Sequence, residues 1–194
     1  MYELIIVWVG NELKLFSFSE VMIGNSLDQG VKSMLSEDFI SGMKYELQNR
    51  AFALRTIERI AVRVEGEPEH IFWSSYEKLE KFNTPRYAAY AKKLGLDTTP
   101  SSFTKAKASM ISATPSILLD ALLKLVYSKT QVYMQDLKKV RSLGPGGDNE
   151  FLNYMIAQEQ VQIELMELAI KKRYGEIQPK IDSFLKHYQD KKLV

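Results

Sequence analysis

Residues 38–66 read DFISGMKYELQNRAFALRTIERIAVRVEG, and the spacing of their apolar side chains decides the fold class. Ile40, Met43, Leu47, Leu54, Ile57, Ala61 and Val64 follow three- and four-residue steps, which places them on one face of a helix. Asp38 is the expected N-cap and Gly66 closes the run. A second helix is expected from about Pro68, with Trp73, Tyr76 and Leu79 inward. Thr84-Pro85 sets a capping residue before a proline, the order favoured at a helix start, so a kink or break is expected near Asn83. Tyr87, Tyr90 and Leu94 then continue inward to Gly95.

The Thr-Pro pair recurs at Thr99-Pro100 and Thr114-Pro115, and residues 97–114 form a Ser/Thr-rich crossover with a short helix over 103–111. A third long helix is expected from Pro115 to about Leu143, with Leu119, Leu122, Val126, Tyr133, Leu137 and Val140 inward. Gly144-Pro145-Gly146-Gly147 stops it, and Asp148 or Asn149 caps a fourth, with Leu152, Met155, Met166 and Ala169 inward and Gly175 at its end. A tail helix over 179–191 begins at Pro179 and presents Ile181, Phe184, Leu185 and Tyr188. Helices of about 25–30 residues would be about 40 Å long, and each carries one apolar stripe. Such elements bury best against one another, and short, long, short connections are those of a four-helix bundle with one crossover.

Residues 1–37 differ in character. Residues 4–9 and 13–18 are rich in β-branched and aromatic side chains and flank Gly10-Asn11-Glu12, the pattern of a hairpin. A lone hairpin is marginal in water, so it is expected to pack on the chain or to serve as an arm for a partner or a second copy. Residues 19–37, with Gly24-Asn25 and Gly30, are a linker with a short helical piece. The expected domains are therefore an arm and linker over 1–37 and a helical bundle over 38–194.

Composition narrows the chemistry. The 194 residues are 45% hydrophobic and 26% charged, too apolar and too evenly charged for a disordered chain. The absence of cysteine removes disulfides, thiolate metal sites and thiol nucleophiles. His70 and His187 are the only histidines, which excludes a multi-histidine site within one chain. A net charge of +2 gives no strong nucleic-acid field, and the row Arg55, Arg59, Arg63 is expected to be a solvated face. Residues 4–9 are the longest apolar run, far short of a membrane span, and no basic segment precedes them. The simplest expectation is a cytoplasmic protein.

The residues that interrupt the stripes carry the functional reading. Arg50 falls at a core-type position between Leu47 and Leu54, and Glu80 extends the stripe of Trp73 and Tyr76 with Glu77 beside it. Glu159 and Gln162 interrupt the fourth helix, and Thr130 stands between Val126 and Tyr133 on the third. All lie near mid-helix, so aligned helices would gather them into one polar stratum across the waist. Buried charges need partners there.

By helix order and crossover, residues 38–176 resemble the ferritin-like superfamily, whose di-iron members place a Glu on one helix and Glu-x-x-His on the next, twice over. Glu46 stands 31 positions before Glu77-Lys78-Leu79-Glu80, similar to the family's separation of its ligand-bearing helices. Glu159-Gln160-Val161-Gln162 resembles the second Glu-x-x-His, with Gln162 in the place of histidine, as Glu80 is in the first. The third helix carries no glutamate, only Asp120 and Asp136, and Glu67-Pro68-Glu69-His70 lies outside the waist. The expectation is a metal-free, non-catalytic bundle with Arg50, Glu80, Glu159, Gln162 and Thr130 as a polar core, no cofactor, and a protein partner or homo-oligomer as its object. The resemblance also implies a competing iron or manganese oxidoreductase through Glu46, Glu77, Glu80 and Glu159. A third reading is a small-ligand binder lined by Tyr76, Tyr87, Tyr90, Tyr127, Tyr133 and Tyr154.

Overall fold

The computed structural model describes residues 35–194 throughout, together with the backbone of residues 3–9 and 12–18. The two N-terminal segments run as β1 (Glu3–Val9) and β2 (Glu12–Phe18), antiparallel, with Glu3 opposite Phe18 and Val9 opposite Glu12. Residues 10–11 between them and the expected linker over residues 19–34 lie outside the described residues.

The rest is mainly helical. Helix α1 (Glu37–Arg63) starts two residues ahead of expectation, because Ser36 and not Asp38 is its N-cap: the Ser36 hydroxyl accepts from the Phe39 amide at 3.1 Å. Helix α2 (His70–Lys93) runs without a break through Pro85, which corrects the expected interruption near Asn83. Proline removes one donor, from the carbonyl of Lys81 four residues back. On either side of it, Thr84 Oγ1 bonds the Glu80 carbonyl and Arg86 Nη1 the Phe82 carbonyl, both at 2.8 Å. Packing on both sides outweighs the local signal: Asn83, Tyr87 and Tyr90 are all buried.

The crossover holds α3 (Ser102–Ser112), and a single tight turn at Ser116–Leu118 leads into α4 (Leu119–Leu143). Helix α5 (Asn149–Ile170) ends well before Gly175, contrary to expectation. Lys172, at φ 57°, takes the left-handed position that a glycine commonly fills after a helix. Helix α6 (Ile177–Tyr188) begins two residues before Pro179, which sits in its first turn, where a missing N–H costs nothing.

Helix α1 packs along α2, and α4 along α5; contacts of α1 with α4 and of α2 with α5 join the two pairs. Helix α3 lies on α1, and α6 covers α2 and α5. Polar contacts hold α3 in place: Gln48 bonds Thr99, Ser101 and Thr104, while Arg59 reaches Ser109 and Arg63 the last carbonyl of α3 at Ser112. Two of the three arginines of the α1 row are thus spent on the crossover. No single helix among the described residues is long and apolar enough to cross a membrane.

The core runs the length of the four long helices, from Phe39, Met43, Phe151 and Leu152 to Ile60, Phe72, Leu165 and Met166. Phe151 stacks on Tyr90 with centroids 4.0 Å apart and meets Tyr87 edge-on at 5.1 Å. Gly144, just past α4, touches this end of the core: a Cβ there would lie 2.3 Å from Leu152 Cδ1 and 3.0 Å from Phe39 Cε2. Both neighbours are fully buried and cannot withdraw freely. Gly144→Ala should therefore destabilise by about 1–3 kcal/mol, read as a lower urea midpoint at unchanged slope.

A buried guanidinium at the helix waist

Arg50 projects from the middle of α1 into the junction with α2 and α5. Its Nη1 donates to Glu80 Oε1 at 2.8 Å, and its Nη2 lies 3.1 Å from Glu159 Oε2. Its Nε is 3.2 Å from Glu46 Oε1, one helical turn back, without the alignment of a hydrogen bond. Each guanidinium nitrogen thus faces a carboxylate on a different helix position, and all three glutamates are buried, at 0–1% exposure. Burial opposes the arginine's charge, but the three carboxylates outweigh it and hold the guanidinium well above its ordinary value.

Amides complete the layer. Gln162 Nε2 donates to Glu80 Oε1 at 2.6 Å, and Gln158 Nε2 donates to Glu159 Oε2 at 3.1 Å. Gln158 Oε1 collects Arg50 Nη1, Asn83 Nδ2 and Gln162 Nε2, at 3.1, 3.0 and 2.7 Å. Hydroxyls close the outer edge: Tyr87 donates to Glu46 Oε1 at 2.7 Å and Tyr133 to Glu46 Oε2, Tyr76 donates to Gln162 Oε1 at 2.9 Å, and Tyr154 donates to Asn83 Oδ1. Burial, then the neighbouring carboxylates, raise the Tyr76, Tyr87 and Tyr133 hydroxyls well above their ordinary range, so they stay neutral donors. Burial pushes Glu80 and Glu159 up to about 7 against the pull of Arg50.

Four of the five residues expected in the polar core meet in this network: Arg50, Glu80, Glu159 and Gln162. Thr130 is buried on α4 but joins none of these bonds. Glu46, expected only as an alternative metal ligand, is a full member, whereas Glu77 is not. Glu77 turns toward solvent and pairs with Lys81 at 2.5 Å, because a three-residue step from Glu80 lies at the edge of the buried face. Asn83 and Gln158 were missed by the sequence pattern. Gln158 adjoins Glu159, and α5 buries both because it is covered on a wide arc, by α4, α2 and α6.

The tyrosine set does not surround one cavity. Tyr76, Tyr87, Tyr133 and Tyr154 spend their hydroxyls inside the layer, and Tyr90 donates to Asp148 at 2.9 Å near the start of α5. Asp148, one of the two expected caps, does stand at the N-cap of α5, but its carboxylate serves Tyr90 and Lys93 and makes no bond to the helix amides. Tyr127 is half-buried and forms no hydrogen bond among the described residues. A cleft of about 180 Å³ opens at the far end, between the starts of α2 and α4 and the end of α5, with Phe72, Trp73 and Tyr174 in its walls and none of the six tyrosines.

Iron or manganese does not fit this donor set. A permanent cation stands among the carboxylates, Glu77 is outside, and no group of three acids or histidines among the described residues converges as ligands would. His70 opens α2, about 15 Å along the helix from Glu80, and His187, exposed near the end of α6, faces Lys191 just beyond it. Comparison of the chain with protein families, curated proteins and solved structures gives no match.

Proposed function

We propose that the chain is a ferritin-like four-helix bundle, with an N-terminal hairpin and a C-terminal tail helix, that acts as a binding module and not as a catalyst. Arg50 takes the place at the waist that cations fill in metal-bearing bundles of this kind. The observation that carries the reading is the threefold seat of Arg50: its nitrogens engage Glu46, Glu80 and Glu159, from α1, α2 and α5. A guanidinium cannot be deprotonated in this setting and presents five donors in a rigid fork. It holds three helix positions in register at once, and it repels a second cation from the same oxygens. A bundle locked in this way offers surfaces and not a reactive centre, and the hairpin is the element left to engage a protein partner or another copy of the chain.

Metal analysis of protein purified without chelator, combined with light scattering over a range of concentrations, tests the proposal. The expected result is far less than one equivalent of iron or manganese per chain, with a mass that rises above the monomer or on addition of a partner. Two stoichiometric metal ions per chain would overturn it in favour of a carboxylate-bridged oxidoreductase.

A further inference from the structure

We propose that the waist is a proton-binding site, in which Glu80 and Glu159 hold a shared proton that fastens α2 and α5 to α1 and is released to solvent in mildly alkaline medium. The inference rests on the metal-free reading and adds regulation to the same residues. Its basis is a charge mismatch. One guanidinium, itself 11% exposed, faces three carboxylates at 0–2%, so full ionisation would leave two uncompensated negative charges on buried oxygens. Isolated buried charge of that size is not tolerated; a group so placed takes up a proton instead.

Among the described residues, one further cation lies beside this layer: Arg86 of α2, whose charge acts on Tyr154, but its guanidinium bonds the Phe82, Tyr188 and Gln189 carbonyls and pairs with none of the three carboxylates. From α1 the cluster is faced by Glu46 and Arg50, from α2 by Tyr76, Glu80, Asn83 and Tyr87, from α4 by Tyr133, and from α5 by Tyr154, Gln158, Glu159 and Gln162. Outside this ring, α3 brings Lys107 over the Phe52 ring, and α6 brings Tyr188 against Tyr154. Glu46 has both oxygens occupied by the Tyr87 and Tyr133 hydroxyls. Glu80 and Glu159 meet Arg50 through Oε1 and Oε2 respectively, so the second oxygen of each is the one we assign to the proton. Burial, opposed by Arg50, places both groups at about 7, above the ordinary 4.5. Both acids sit against the same guanidinium and the charge of Glu80 raises Glu159, so they titrate as a pair, with apparent values belonging to both.

The sign of the linkage follows. Between about pH 4.5 and 7 the folded chain keeps a proton that the unfolded chain gives up, so this contribution to stability is complete below 4.5 and is lost as pH rises through 7. Carboxyl carbon resonances of the full chain, labelled in glutamate and checked to be metal-free, should show one or two Glu transitions between pH 6 and 8. Glu80→Gln and Glu159→Gln, both near-isosteric, should each remove the shared step and flatten the fall in Tm between pH 5.5 and 8.5. Circular dichroism confirms that the variants are folded. Glutamate transitions confined to the ordinary range near 4, or variants whose Tm falls as steeply as the parent's, would overturn the proton site and leave the metal-free reading standing. Stoichiometric metal in the sample would instead overturn that reading and this one with it.

Discussion

Arg50→Ala should lower the unfolding free energy by about 3–5 kcal/mol, the cost of leaving a buried ionic cluster without its counter-charge. The substitution removes all the partners of Glu80 Oε1 and Glu159 Oε2 except Gln162 and Gln158, and it leaves three buried carboxylates without a cation. They respond by binding protons, so the loss should be larger at pH 8 than at pH 5.5. Arg50→Lys tests whether charge alone suffices. An ammonium is a point charge with three donors and cannot present a fork to three separate oxygens, so it should restore only part of the loss. Urea denaturation at the two pH values reads both effects. An alanine variant as stable as the parent would mean that the cluster is worth no more than an apolar layer, as some buried ion pairs are.

The same residues show what a sequence can and cannot disclose. Arg50, Glu80, Glu159 and Gln162 were legible because each interrupts an apolar stripe of regular period, and a helix that keeps its period fixes the direction of every side chain on it. Asn83 was not, because Thr84-Pro85 beside it carries a strong local signal for a helix start, and that signal lost to burial on both sides of the proline. Gln158 was hidden because a narrow stripe is a poor guide to a helix buried on a wide arc. Glu77 and Glu46 exchanged roles for a geometric reason: Glu46 lies one turn from Arg50 on the buried face, at a four-residue step, whereas Glu77 sits beyond the edge of its own. The end of α5 was misplaced because Lys172 adopts a left-handed conformation that sequence rules assign first to Gly175. At the waist the period was right and burial decided the exceptions, whereas the end of α5 was decided locally, by the backbone bonds of Lys172 and Arg173 to Ala169 and Leu168.

Glu46 gives the second large effect and separates charge from hydrogen bonding. Glu46→Ala leaves the Tyr87 and Tyr133 hydroxyls without their acceptor and removes the carboxylate beside Arg50 Nε. Tyr87 is only 3% exposed, so its hydroxyl cannot turn to water. Two stranded donors at about 1–3 kcal/mol each predict a loss of about 2–6 kcal/mol in urea denaturation. Glu46→Gln should cost only about 1 kcal/mol, because its carbonyl still accepts from Tyr87 and its amide can donate to the Tyr133 oxygen. The charge it removes is one the cluster holds in excess. A Gln variant as damaged as the Ala variant would mean that the anion itself holds the tyrosines. The double variant Glu46→Ala with Arg50→Ala should lose less than the sum of the two single losses, since each single change already breaks the contact they share. A strictly additive pair would place the two residues in separate structures, and the single layer across α1, α2, α4 and α5 would no longer be one unit.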